Sequence, residues 1–137
     1  MTELRGRGKR VLVVEDDPQI QEVLCEVLVD EGYEVVTAGD GQAALSLLSG
    51  MVPDAAVMDV MMPFVDGPEV LRWMRASGTH ATVPVLLMSA SPMRIAADSE
   101  HSAFLRKPFD LQTLLDEVAR LVRAGTHIAT PVAITSP

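Results

Sequence analysis

Two rhythms of apolar residues alternate along the chain. Runs at 10–15 (RVLVVE), 33–38 (YEVVTA), 55–59 (AAVMD), 83–90 (VPVLLMSA) and 103–107 (AFLRK) read as strands, those at 10–15 and 83–90 being continuously apolar. Unbroken runs, rather than alternating ones, are what strands covered on both faces require. Between them the spacing changes to that of helices. Ile20, Val23, Leu24, Val27 and Leu28 recur at i, i+3, i+4, i+7 and i+8, one face of an amphipathic helix. Asp17-Pro18 opens that helix, since Asp caps well and Pro suits the first helical position. Gly32 stops it. Asp40 caps a second helix through about Leu48, and Asp66 with Glu69 forms a capping-box pair before Val70, Leu71 and Met74. A weak helix is expected at about 93–98. Asp110 caps a last helix carrying Leu111, Leu114, Leu115, Val118, Leu121 and Val122. From Gly125 the pattern gives out, so 125–137 reads as a frayed tail.

Strand and helix in strict alternation imply an α/β fold, a doubly wound parallel sheet of five strands with helices on both faces. Such sheets bind ligands outside the carboxyl ends of their strands. Asp16 and Asp17 follow the first strand, Asp59 ends the third, Ser89 ends the fourth and Lys107 ends the fifth. Taken singly, Asp17 reads as a plain N-cap, Asp16 as a loop acid, Ser89 as a strand end and Lys107 as a surface lysine before Pro108. Asp59 is different: it interrupts the apolar stretch Val57-Met58-Asp59-Val60-Met61-Met62-Pro63 with no capping duty. An ionised carboxylate is rarely buried without a partner. Three carboxylates converging on one edge repel each other, and a hard divalent cation such as magnesium relieves this. An aspartate so placed can attack phosphorus, with Lys107 and the Ser89 hydroxyl meeting the phosphoryl oxygens.

Composition narrows the choice. The chain has 137 residues and a formal net charge of −8, which argues against binding a nucleic-acid backbone. Arg5, Arg7, Lys9 and Arg10 form a basic cluster at the start, read as a flexible, solvated leader over 1–9. A single cysteine, Cys25, excludes an internal disulfide and suits a reducing compartment. No run approaches the ~20 apolar residues of a membrane helix, so a cytoplasmic protein is expected. His80, His101 and His127 lack metal-ligand spacing and read as surface residues.

The acid pair in EDDP, the VMDVMMPFVDG segment, the LLMSAS strand end and the KPF triplet stand in the order found in one family. The chain resembles the receiver domain of two-component response regulators over about 10–124. That resemblance implies a flavodoxin-like sheet in order 2-1-3-4-5. It makes Asp59 the phosphoacceptor, and Asp16 and Asp17 the acidic pocket for Mg2+. Asp17 would bind the ion directly, Asp16 mainly through water, and the backbone carbonyl of Met61 would be a further ligand. Ser89 becomes the switch hydroxyl, Lys107 the phosphate-binding lysine and Phe104 the aromatic switch residue. The implied donor is a histidine kinase or a histidine phosphotransfer protein. The implied output is a conformational switch read by an unknown protein target, in a monomer or weak dimer with no output domain after the last helix.

The chain departs from the family pattern in two places. The interval from Ser89 to Lys107 is shorter than in most receivers, which leaves a short fourth helix. Met61 and Ser91, two residues beyond the phosphoacceptor and the switch residue, offer no carboxylate or amide to orient an attacking water. Slow self-dephosphorylation is therefore expected. Met61 also stands where aspartyl-nucleophile phosphatases carry a general acid, which disfavours a turnover enzyme. The remaining alternative is a degenerate receiver that docks partners without phosphorylation.

Overall fold

The computed structural model describes residues 4–90 and 101–135. Five strands, β1 (Arg10–Val14), β2 (Glu34–Ala38), β3 (Ala55–Asp59), β4 (Val85–Ser89) and β5 (Ser102–Arg106), form one parallel sheet. Its order is β2-β1-β3-β4-β5, as the resemblance implied. Four helices stand among the described residues: α1 (Pro18–Asp30), α2 (Gly41–Leu48), α3 (Gly67–Ala76) and α4 (Leu111–Thr135). The short fourth helix expected near 93–98, and Ser91 with it, lie outside the described residues.

Strand alternation divides the core in two. Leu12, Val14, Ala56, Met58, Val85 and Leu87 face a layer built by Ala44 and Leu48 of α2 and Val70, Leu71 and Met74 of α3. Val11, Val13, Ala55, Val57, Leu86 and Met88 face Leu24 and Leu28 of α1 and Leu114, Leu115, Val118, Leu121 and Val122 of α4. The three inner strands therefore need apolar residues on both faces, and only Arg10, Asp59 and Ser89, at their ends, depart from that. The helix caps are those the sequence announced. Asp17 accepts from the backbone N–H of Gln19 and Ile20, and Asp40 from Ala43. Asp66 and Glu69 close a capping box, and Asp110 accepts from the Thr113 N–H at 2.8 Å.

Three expectations are corrected. The leader is held to the fold at Arg5 and Gly6, while Leu4, Arg7 and Gly8 are exposed. Arg5 pairs with Glu31 at 2.8 Å and with Asp116 at 3.1 Å, and Gly6 donates to the Glu31 carbonyl at 2.7 Å. Gly6 lies flat against Tyr33, where a Cβ would stand 2.5 Å from Cγ of the ring. Arg5 thus has acids at the end of α1 and on α4 to meet, which a linear charge pattern does not show. His80 is 4% exposed, not a surface residue. Its Nε2 lies 2.8 Å from the Met51 carbonyl, its Nδ1 3.0 Å from the Ser77 hydroxyl, and its ring 5.2 Å from that of Trp73. Finally, α4 continues past Gly125 to Thr135. Loss of the apolar pattern removes a packing face, yet the helix runs on through Gly125, which costs about 1 kcal/mol, and Pro131, which costs about 3 kcal/mol and one backbone hydrogen bond.

Two glycines fix how closely the loop after β3 approaches its neighbours. A Cβ on Gly67 would lie 2.5 Å from the Asp59 carbonyl oxygen, and one on Gly41 2.1 Å from that of Val65. Gly39 has open space around it. Gly67→Ala should therefore cost about 1–3 kcal/mol of stability through overpacking. Gly39→Ala should stay within about 0.5 kcal/mol. Urea midpoints of the two variants check this, and equal midpoints would contradict the close approach.

Candidate functional site

The sheet order reverses between β1 and β3, and polar groups collect at their carboxyl ends. Glu15 follows β1 directly and is 1% exposed; Asp59 closes β3 and is 7% exposed. Lys107 follows β5 and reaches back across the edge. Its ammonium lies 3.3 Å from Asp59 Oδ2 and 3.4 Å from Glu15 Oε1. The Met61 N–H donates to Asp59 Oδ1 at 3.2 Å, and the Asp17 N–H donates to Glu15 Oε2 at 3.1 Å. Ser89 is buried at the end of β4, and its carbonyl accepts from the Lys107 N–H at 2.8 Å. Phe104 lies on β5 opposite Leu87, partly exposed.

Among the described residues, Glu15, Asp16 and Asp59 form the acid group whose ligand oxygens all lie within 4.8 Å of one another. Sequence reasoning missed Glu15 and read the pair one position too late. Asp17 has both Gln19 and Ile20 N–H groups on one carboxylate oxygen and serves as the α1 cap. It does not enter the acid group. The signal for Glu15 was present: like Asp59, it is an acid that ends an apolar strand run.

This pocket holds three carboxylates against one ammonium. Burial pushes the Glu15 carboxyl from 4.5 up to about 7. The Asp17 N–H opposes that rise, the charge of Asp59 adds to it, and Lys107 opposes it. The pocket is thus short of positive charge, and its donors are all oxygen, the set a hard divalent cation takes.

A family model described as the response regulator receiver domain matches residues 11–119. The chain belongs to that family. This receiver is 41% identical over 121 residues to the response regulator MprA of Mycolicibacterium vanbaalenii, an alignment covering 85% of this chain and 52% of that protein. The receiver spans about half the length of the curated relatives it matches. Its fold is similar to that of the receiver domain of sensor histidine kinase PA1611 from Pseudomonas aeruginosa, solved with a magnesium ion coordinated in the active site cleft. There the TM-score is 0.73 at 29% identity, over 85% of this chain and 98% of that one. It is also similar to the response regulator TrrA of Thermotoga maritima, solved with Mg(2+)-BeF. That TM-score is 0.72 at 34% identity, over 82% of this chain and 98% of that one.

The raised Glu15 carboxyl sets a pH dependence for the metal-free receiver. Between pH 4.5 and about 7 the folded state holds a proton that the unfolded chain has released. Stability therefore falls as pH rises through that window. With a chelator present, the loss should reach at most about 3 kcal/mol. It should vanish in Glu15→Gln relative to wild type. Urea titrations at about pH 5 and about pH 8 measure it, and identical pH profiles for the two proteins would contradict the assignment.

Proposed function

We propose that this receiver takes a phosphoryl group on Asp59 from a histidine kinase or a histidine phosphotransfer protein. The observation that carries this reading is the Lys107 ammonium shared between Asp59 and Glu15. It supplies one cation to a carboxylate that must stay ionised and reachable at a strand end. Glu15, Asp16 and Asp59 are the residues to hold Mg2+, with the Met61 carbonyl as a further ligand. Bound there, the ion offsets the acids' charge and orients phosphoryl oxygens. Asp17 keeps its capping role and supports Glu15 through its N–H.

In the transfer, an Asp59 carboxylate oxygen attacks phosphorus in line. The phosphorus–nitrogen bond breaks, the electron pair leaves with the donor imidazole, and an acyl phosphate forms. Lys107 follows one phosphoryl oxygen as a point charge, and the Ser89 hydroxyl donates to another. The new group adds about −1.5 to −2 of charge. Ser89 moving toward it leaves space that Phe104 can enter, which alters the surface of β5 and α4. That surface is the one a protein target reads. The role is that of a switch which phosphorylates and slowly dephosphorylates itself, on the cytoplasmic side where kinases supply phosphohistidine.

Incubation with acetyl phosphate and magnesium should add one phosphoryl group by intact mass. Asp59→Asn should take none, and Asp16→Asn should lose about tenfold or more in rate. Failure of wild type to gain mass would leave a receiver that docks partners without phosphorylation.

Met61, exposed beside Asp59, has no group that could orient a water. The phosphoryl group should therefore persist for minutes or longer at neutral pH. A half-life of seconds on the purified protein would sink this expectation.

A further inference from the structure

The turn that precedes β1 leaves a groove at the end of the sheet opposite the acidic pocket. Lys9 stands just before β1 and Tyr33 just before β2. This end therefore lies a strand's length, about 16 Å, from Glu15 and Asp59. Backbone hydrogen bonds fix the turn in place. Gly6 donates to the Glu31 carbonyl at 2.7 Å, Lys9 to the Gly6 carbonyl at 2.9 Å, and Glu34 to the Lys9 carbonyl at 2.9 Å. Gly32, at φ +98°, completes the seat, since a Cβ there would stand 2.8 Å from Cβ of Leu4 and 3.2 Å from the Arg7 nitrogen.

Between the turn and α4 lies a cavity of about 430 Å³, within the size range of ligand pockets. Tyr33, Ala119 and Val122 form an apolar floor, with Leu4, 50% exposed, at the rim. Arg5, Arg7 and Arg123 stand around it. Burial pushes the Tyr33 phenol up, Arg5 and Arg123 pull it down, and Glu31 adds to the rise, so two guanidinium charges act on the floor of the groove.

The three arginines differ in what they hold. Arg5 pairs with Glu31 and Asp116. Arg7 and Arg123 are exposed, and neither pairs with an acid among the described residues. A guanidinium meets a carboxylate through two parallel hydrogen bonds, and an apolar floor gains by being covered. The chain's net charge of −8 repels an acidic partner in general, so these arginines decide where such a partner can settle.

We propose that this groove docks an acidic segment of a partner protein, in which carboxylates flank an apolar side chain. The carboxylates meet Arg7 and Arg123, and the apolar side chain covers Tyr33, Ala119 and Val122. A small phosphate would satisfy the arginines and leave the floor uncovered, which favours a peptide over a simple anion. The groove is a second contact surface, at the opposite end of the strands from Asp59 and Lys107.

Titrating the whole receiver with a short synthetic peptide of glutamates flanking leucines, followed by backbone amide NMR, tests this. Amides of residues 4–9 and of Ala119 to Arg123 should shift, and those of Asp59 and Lys107 should not. Arg7→Gln and Arg123→Gln should each weaken binding about threefold or more. Replacing the peptide's leucines with serine should weaken it about tenfold or more. Arg72→Gln, an exposed change on α3, should stay within about twofold of wild type. All three variants should keep the wild-type urea midpoint. No shift in the groove at about 1 mM peptide would overturn the proposal. So would equal weakening by Arg72→Gln, which would mean diffuse charge attraction, or undiminished binding of the serine peptide. Inorganic pyrophosphate that displaces the peptide at equal or lower concentration would also overturn it, and would make the groove a site for small phosphorylated molecules.

Discussion

A lysine spanning two buried acids is the constraint on which this structure depends. Parallel strands bring their carboxyl ends to one edge, and in this chain three of those ends or their next residues carry charge: Glu15, Asp59 and Lys107. Holding carboxylates there is costly, because taking one out of water runs to several kcal/mol. Lys107 reaches both, at 3.4 and 3.3 Å. Its position is set by backbone, through the bond from its N–H to the Ser89 carbonyl. So β4 and β5, on the far side of the sheet from β1, determine whether the acids of β1 and β3 can be held. The pocket is a property of the whole sheet order, not of any one motif.

That order also explains what could be read from the chain before its structure. The five strands were legible because their runs are rich in apolar residues, and β1, β3 and β4, covered on both faces, carry them nearly unbroken. Asp59 was legible because it breaks such a run. Glu15 ends an apolar run as Asp59 does, but it lies in a row of three acids that obscures which of them turns inward. The answer lies in two local rules acting together. Pro18 starts α1 and commits Asp17 to its cap, while the strand carries Glu15 into the edge. Asp16 is left between them, exposed but within reach of both Glu15 and Asp59.

His80 and the leader were illegible for a different reason. Their environments are assembled from distant segments. His80 is buried by a carbonyl at Met51 and by the ring of Trp73. Arg5 finds acids at Glu31 and Asp116, at the far end of α1 and on α4. Surface pairs of this kind contribute little each, typically below 1 kcal/mol. Their effect here is positional, since they draw the start of the chain across two helices of the same layer and close Gly6 over Tyr33.

The length of α4 has a mechanical consequence. It begins four residues after Lys107 and runs for 25 residues, or about 37 Å at the rise of an α-helix. Among the described side chains, its grip on the sheet runs from Leu114 to Val122. That grip is a fulcrum with a short arm at the acidic pocket and a long arm beyond it. A tilt of about 5° at the fulcrum sweeps a point ~20 Å along the long arm through about 2 Å. Motion too small to disturb the sheet at one end of this rod is large enough at the other to open or close a contact between proteins.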